Sequence, residues 1–142
     1  MTVVKFYDNV ADDLLKFAVI IAKYNGKFIF CKHKQRNTLE VPGGHRETNE
    51  IISDTAAREL SEETGALKFD IQPICVYSVT ASDNFDGKET FGMLYYAQVK
   101  ALEKELHSEI EKVVITERLP DNWTYPHIQP KLLEEAKRRG FL

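Results

Sequence analysis

The sequence has 142 residues, 43% of them hydrophobic and 29% charged, and its 19 basic and 22 acidic residues give a net charge of −3. This length and composition are typical of one globular domain, so we expect a single domain over residues 1–142. The nearly balanced charge lacks the basic surplus of proteins that bind DNA or RNA, so no nucleic-acid polymer is expected as a partner.

Two further signals are weak or missing. The N-terminal run MTVVKFYDNVADDLLK has acidic side chains where a signal peptide needs an apolar run. No apolar run reaches the roughly 18 residues that a membrane helix requires, so we expect a cytoplasmic protein without a membrane partner.

Cys31 and Cys75 lie far apart in apolar segments, without the close Cys/His pairs of zinc sites. We expect both to be small core residues.

The first predicted element is a β-hairpin. Two β-rich runs, LLKFAVIIAKY and KFIFCKHK, flank the pair Asn25-Gly26, which favours a two-residue turn with positive φ. The run LEV then predicts a short strand, which a Pro-Gly-Gly break ends.

A helix is predicted after this break. Thr48 or Asn49 is its expected N-cap, and it should run to about Thr64. Gly65 is expected to end it, because glycine adopts the left-handed conformation of many helix ends.

The remaining elements complete a mixed α/β protein. Two strand-like runs, KFDIQPICVYSVTA and FGMLYYAQVKA, follow the helix, with Asp86-Gly87 marking the turn between them. A further strand is predicted in EKVVITERL. The tail IQPKLLEEAKRRGFL spaces its apolar residues as one helical face. We therefore expect a central sheet and two main helices.

The first helix carries an unusual group of acids. Glu59, Glu62 and Glu63 repel one another by a few tenths of a kcal/mol per pair at this spacing, and they oppose the dipole near a helix C-terminus. At about 100° per residue, Glu59 and Glu63 fall close to the apolar stripe that contains Ile52 and Leu60. A solvated helix surface is one interpretation. The other is a divalent cation such as Mg²⁺, which prefers hard oxygen ligands.

The spacing of these residues resembles the Nudix box of the Nudix hydrolases, G-x5-E-x7-R-E-U-x-E-E-x-G-U, where U is a bulky aliphatic residue. The matching letters are Gly44, Glu50, Arg58, Glu59, Glu62, Glu63 and Gly65. Seven such letters match by chance with a probability on the order of 10⁻⁸ per starting position. Ala66 is smaller than the usual final aliphatic residue, and we expect Leu67 to take its packing role.

The resemblance implies a fold and a reaction. The fold is the Nudix fold, in the α/β (α+β) class, an α/β/α sandwich with a central mixed sheet, the box as a loop-helix-loop and a C-terminal helix. The reaction is hydrolysis of a nucleoside diphosphate linked to another group X, with Mg²⁺ or Mn²⁺ as the cofactor. The implied metal ligands are the Gly44 carbonyl, Glu59, Glu62 and Glu63.

Other roles in the box also follow from the resemblance. Arg58 and Glu50 are expected to orient the glutamates, and either Glu59 or Glu62 to accept the proton of the attacking water. A fifth carboxylate often comes from a later segment in this family. Glu109 is the first candidate for it and Glu111 the second, the alternative being that both are surface acids.

Substrate-binding candidates lie outside the acid group. Arg36 precedes the Pro-Gly-Gly break, where relatives often hold phosphate with an arginine, although a solvated loop charge is equally compatible. Gly43 belongs to the break itself. Trp123 and Tyr125 could stack on a base or anchor the tail to the sheet. The histidines show no pairing that indicates a nucleophile or zinc, and we expect them in loops or at the surface: His33, His45, His107 and His127.

The leading hypothesis is hydrolysis of a nucleoside triphosphate, including oxidised ones, to the monophosphate and pyrophosphate. The segment TYPHIQP resembles the tails of oxidised-nucleotide diphosphatases of the MutT type, which favours this substrate class. One alternative is a Nudix-fold sensor that binds a nucleotide without hydrolysing it. Another is a pyrophosphatase for ADP-ribose, a nucleotide sugar or coenzyme A. The oligomeric state stays open, with a homodimer as one state that the resemblance allows.

Overall fold

The computed structural model describes residues 1–82, 87–105 and 110–142. In chain order the elements are β1 (Thr2–Tyr7), a short 3₁₀ helix (Asp12–Leu14), β2 (Leu15–Tyr24), β3 (Lys27–His33), β4 (Gly43–His45), α1 (Ile52–Thr64), β5 (Ala66–Ala81), β6 (Thr90–Leu102), β7 (Ile110–Thr116) and α2 (Gln129–Arg138).

The strands form one mixed sheet between the two helices. Its order is β1-β5-β6-β2-β3-β7, and β4 pairs with β2. Strands β2 and β6 are parallel, and the other pairs are antiparallel. Side chains alternate between the faces of a strand, so Ile20 of β2 packs in the core on the α1 side and Ile21 packs on the α2 side. The expected α/β/α sandwich is confirmed.

Local signals predicted much of this correctly. The hairpin turns at Asn25 and Gly26, whose φ values are 53° and 78°. Gly65 ends α1 with φ 76°, and its N–H donates to the Ser61 carbonyl at 2.9 Å. Cys31 and Cys75 are both buried and free, as expected of core residues. Gly87 has a positive φ of 74°, whereas Asp86, its predicted turn partner, lies outside the described residues.

Two details of the box were predicted wrongly. Helix α1 begins at Ile52, with Ile51 as an N-cap that makes no side-chain hydrogen bond, so neither Thr48 nor Asn49 caps it. Leu67 is 62% exposed, whereas Ala66 is 2% exposed and packs in the core. The alternation of strand β5 turns Leu67 towards solvent, so the small Ala66 itself fills the final aliphatic position.

The region around the break also differs from expectation. Residues Gly43–His45 form strand β4, although glycine has low strand propensity, because they pair with Phe17, Ala18 and Val19 of β2. The run LEV makes only isolated bridges, from Glu40 to Cys31 and from Leu39 to Trp123. Strand β1, which the sequence did not predict, pairs with β5 at one edge of the sheet. Within the described ranges, no helix is both long enough and apolar enough to cross a membrane.

A buried carboxylate fixes helix α2. Glu135 is 8% exposed and accepts hydrogen bonds from Arg138 at 2.5 Å and from Arg139 at 2.7 Å. Arg139 also reaches Asp8, just beyond β1, at 3.3 Å. The hydrogen bonds from Arg138 and then Arg139 lower the pKa of Glu135 to about 2. This network therefore joins the C-terminal helix to the N-terminal edge strand.

We expect Glu135→Gln to lower the free energy of unfolding by about 1–2 kcal/mol at neutral pH, because charged hydrogen bonds are lost. A carboxyl whose pKa is lowered in the folded state stabilises the fold above its ordinary pKa of 4.5, and this stabilisation disappears as the pH falls towards 2. The difference between variant and wild type should therefore shrink over that range, as measured by urea denaturation. The exposed neighbour Glu134→Gln is the control. A difference that stays constant with pH would contradict this account.

Candidate active site

Arg58 links helix α1 to the loop and strand before it. Its Nε donates to Glu50 Oε2 at 2.7 Å, and its Nη2 donates to the His45 carbonyl at 3.0 Å. Its Nη1 donates to Glu59 Oε1 at 2.8 Å and to Glu62 Oε2 at 3.3 Å. One guanidinium group thus orients carboxylates from both ends of the box, and the hydrogen bond to Glu50 is the main cause of its raised pKa.

Glu50 supports this arginine and stays ionised. Its carboxylate accepts from Arg58 and from the Thr55 hydroxyl, the latter at 2.6 Å. These hydrogen bonds, with Arg58 the larger cause, lower the pKa of Glu50 to about 2. This contact with Arg58 also explains why helix α1 begins only at Ile52. The loop must first turn Glu50 back towards Arg58.

Glu59 lies directly against Gly44. A Cβ atom at Gly44 would sit 2.5 Å from both carboxylate oxygens of Glu59, so only glycine leaves room for this side chain. Burial is the main cause that raises the pKa of Glu59, while Arg58 acts in the opposite direction. Strand β4 and helix α1 therefore pack closely against each other at the Glu59 carboxylate.

Glu63 is buried although it carries a carboxylate. The residue is 8% exposed, and its Oε1 accepts the Gly43 N–H at 2.7 Å. Burial, followed by the charges of Glu59 and Glu40, raises the pKa of Glu63 to about 8, against the effect of the Gly43 hydrogen bond. The nearby charges of Glu59 and Glu40 have the same sign as that of an ionised Glu63.

The donors fit a hard divalent cation. Glu59, Glu62 and Glu63 offer oxygen ligands, and two of these carboxyls have raised pKa values. Arg58 supplies one positive charge, which does not neutralise the three acids. Among the described residues, no three His, Cys, Asp or Glu side chains already surround one common point as metal ligands do.

The candidates for a fifth carboxylate are placed differently. Glu109 lies outside the described residues. Glu111 forms an ion pair with Lys32 at 2.6 Å, its side chain is 51% exposed, and this pair lowers its pKa. The structure therefore gives Glu111 a partner on the surface of the sheet.

One pocket of about 640 Å³ contains most of the predicted site. It is lined by Gly43, Gly44, Arg58, Glu59 and Glu63, and also by the substrate-binding candidates Arg36 and Tyr125. Trp123 instead packs edge-on against Phe30, with ring centroids 5.5 Å apart, within the core on the α2 side. Of the two aromatic residues in this segment, Tyr125 lies where it can contact a ligand, and Trp123 lies where it anchors the tail.

Sequence reasoning missed several residues of this pocket, among them His33, Glu40 and Gln129. His33, expected in a loop or at the surface, ends strand β3 and has its Nε2 between Glu40 and Glu63. Gln129 opens helix α2, and its Oε1 accepts the Val41 N–H at 2.9 Å. These side chains converge from segments distant in the sequence, so no local spacing could indicate them. The prediction for His107 lies outside the described residues.

Comparisons with known proteins agree with this geometry. The family model described as NUDIX domain matches residues 14–135. A Bacillus subtilis (strain 168) protein named "Putative 8-oxo-dGTP diphosphatase YtkD" is 30% identical over 118 residues, which cover 82% of this chain and 72% of that protein.

Solved structures show the same fold. The Bacillus subtilis pyrophosphohydrolase BsRppH superposes with a TM-score of 0.79 at 25% identity, over 99% of this chain and 92% of that one. A MutT NUDIX hydrolase from Burkholderia pseudomallei has a TM-score of 0.62 at 20% identity, over 84% of this chain and 95% of that one. Arg58 joins the residues of the box, and the NUDIX domain model matches most of the chain. The chain therefore belongs to the Nudix family and is a pyrophosphohydrolase of the Nudix type.

Proposed function

We propose that this protein hydrolyses nucleoside triphosphates, oxidised ones included, to the monophosphate and pyrophosphate with the help of Mg²⁺. The observation that carries the proposal is the pocket of about 640 Å³, which joins Glu59 and Glu63 to an aromatic and apolar surface. Pockets for small ligands commonly measure roughly 300–1,000 Å³. This one therefore offers room for both a phosphate chain and a base.

The apolar surface comes from neighbouring strands of the sheet. Phe17 of β2 pairs in register with Gly92 of β6, which pairs in turn with Tyr77 of β5. A Cβ atom at Gly92 would lie 2.6 Å from the Tyr77 ring, so the ring covers the bare backbone of this glycine. Phe17 and Tyr77 both line the pocket, where their apolar surfaces suit a flat base.

A polar group beside this surface could distinguish bases. Gln129 is 6% exposed and lines the pocket, and its hydrogen bond from the Val41 N–H fixes the orientation of its amide. The amide NH₂ group is then the donor that Gln129 offers to a carbonyl oxygen of the base. Oxidised purines carry such an additional carbonyl, and the name of the Bacillus subtilis relative supports this substrate class.

The acid side would carry the phosphates and the metal. Glu59, Glu62, Glu63 and the Gly44 carbonyl are the proposed metal ligands. A bound Mg²⁺ would neutralise charge on the phosphate oxygens and make water a stronger nucleophile at neutral pH. Arg58 and Glu50 hold Glu59 in place, and the Gly43 N–H holds Glu63.

Two further roles are proposed around the phosphates. Glu59 or Glu62 would accept the proton of the attacking water, and burial makes Glu59 a stronger base than an exposed glutamate. Arg36 lies at the pocket and has a planar guanidinium that can grip a phosphate through two hydrogen bonds. Tyr125, which also lines the pocket, offers its ring to the base.

A nucleotide panel tests this proposal. We expect the protein with Mg²⁺ to convert dGTP and 8-oxo-dGTP to the monophosphate and pyrophosphate, and to act more slowly on ADP-ribose, a nucleotide sugar and coenzyme A. Phosphorus NMR in ¹⁸O-labelled water would show which phosphorus takes the solvent oxygen. Faster turnover of ADP-ribose or a nucleotide sugar would overturn the substrate class. Thermal stabilisation by nucleotides without their consumption would overturn hydrolysis and favour a sensor.

A further inference from the structure

Four ionisable side chains form a continuous series that ends at Glu63 of the acid group. The Arg36 Nη1 donates to Glu40 Oε2 at 2.9 Å. The His33 Nε2 lies 2.7 Å from Glu40 Oε1 and 3.3 Å from Glu63 Oε2. All four residues line the pocket, so the series runs along its wall from a candidate phosphate-binding arginine to a candidate metal ligand.

The position of His33 determines where its hydrogen must be. Its Nε2 atom is shut off from solvent and makes no hydrogen bond of regular geometry, although oxygens of two carboxyl groups lie close to it. A carboxyl that binds a cation is deprotonated and then only accepts hydrogen bonds, so beside a metal-bound Glu63 the Nε2 atom must carry the hydrogen. We infer that Nε2 carries a hydrogen and donates towards these two glutamates.

Glu40 explains why the ring takes this position. It is 6% exposed, so its carboxylate needs partners to offset the loss of water. Its two oxygens go to two different partners, one to Arg36 and one to His33. Buried ion pairs often stabilise a fold no more than apolar side chains of similar size would. Orienting His33 is therefore the clearer role for Glu40.

Glu63 then has a donor atom near each of its oxygens. Its Oε1 accepts from the Gly43 N–H, and its Oε2 faces the His33 Nε2. Each carboxylate oxygen has two lone pairs, so both oxygens keep one for a cation. Residues that orient metal ligands in this way typically affect metal affinity or activity by roughly 10- to 100-fold.

We propose that His33, oriented by Glu40, is a positioning residue that fixes the Glu63 carboxylate for the divalent cation. The inference rests on the metal site of the proposed function, but not on the identity of the nucleotide. It also gives Arg36 a second task, because the arginine that would hold phosphate is joined through Glu40 to the residue that orients a metal ligand.

Mn²⁺ binding to the substrate-free protein tests this role, with the free ion measured by electron paramagnetic resonance. We expect His33→Leu to weaken Mn²⁺ binding by about tenfold, because the donor to Glu63 is lost. His33→Gln should bind nearly as well as wild type, since its side-chain NH₂ group can replace the Nε2 donor. Lys34→Ala is the matched control, because Lys34 is an exposed neighbouring cation. Thermal unfolding would verify that each variant is folded.

Four outcomes separate the explanations. Wild-type affinity in His33→Leu, or equal losses in His33→Leu and His33→Gln, would overturn the positioning role. If His33→Leu does not fold, Glu40→Gln is the second variant. Its amide leaves one acceptor for two donors, so it should also weaken Mn²⁺ binding, and unchanged affinity would overturn the role. Mn²⁺ binding that depends on His33, without turnover of any nucleoside triphosphate, would contradict the proposed function and leave this inference standing.

Discussion

Glu63→Gln is expected to lower metal-dependent hydrolysis by at least about 100-fold, since changes to residues that only support a metal ligand already cost roughly 10- to 100-fold. Glutamine keeps the size of the side chain and one oxygen for the Gly43 N–H, but it removes the charge that would bind the cation. The measurement is the initial rate of nucleoside triphosphate hydrolysis over a series of Mg²⁺ concentrations. Glu134→Gln, an exposed acid on α2, is the control.

The same substitution should not destabilise the metal-free protein. The pKa of Glu63 is raised from 4.5 to about 8, so the stability that its protonated form contributes at low pH is lost as the pH rises through this range. Glutamine does not titrate and avoids this loss. At pH 8 with a chelator present, the variant should therefore unfold at the same temperature as wild type or higher. A lower unfolding temperature would show that Glu63 is mainly structural.

Local patterns predicted those elements whose conformation is decided by nearby residues. The pair Asn25-Gly26 has the positive φ angles that the hairpin needs, and Gly65 provides the left-handed end of α1. The spacing of the box likewise placed Arg58 within reach of Glu50 and Glu59, because all three lie within ten residues on one helix and its preceding loop. Backbone turns and helical spacing are short-range properties, which a sequence shows directly.

Elements that depend on distant partners were not predicted. Strand β4 has the sequence GGH, which has no strand propensity of its own, and it forms because β2 offers it an edge. The N-cap of α1 was predicted two to three residues early, because the loop continues to Ile51 and lets Glu50 reach Arg58. In β4 a contact with a distant strand overrides the local preference, and at α1 a side-chain contact between residues eight apart does so.

The residues of the pocket wall could not be predicted from local patterns either. His33, Glu40 and Gln129 come from β3, the following loop and α2, and they meet only once the sheet is assembled. Trp123 and Tyr125 are two residues apart, yet one packs on Phe30 in the core and the other lines the pocket. The bridge between Leu39 and Trp123 sets these directions, and no signal in the segment itself indicated it.

Gly44→Ala is expected to reduce hydrolysis by about 100-fold, because misplacing a catalytic group by 1 Å can cost that much. The new Cβ would lie 2.5 Å from both carboxylate oxygens of Glu59, closer than real Cβ contacts come. Strand β4 cannot easily yield, since Gly44 pairs with Ala18 of β2. The Glu59 carboxylate must therefore move, although Arg58 holds it at 2.8 Å. The measurement is kcat and the Mg²⁺ concentration that gives half-maximal rate.

Gly26→Ala separates this effect from a general loss of stability. Gly26 has φ +78°, and no atom of the described residues lies within 4 Å of an added Cβ, so alanine there strains the backbone without touching the pocket. It should cost about 1 kcal/mol of stability and leave the rate unchanged. Because Gly44→Ala should act through Glu59, the double variant Gly44→Ala, Glu59→Gln should be no slower than Glu59→Gln alone. Additive losses would mean that Gly44 supports hydrolysis by a route that does not pass through this carboxylate.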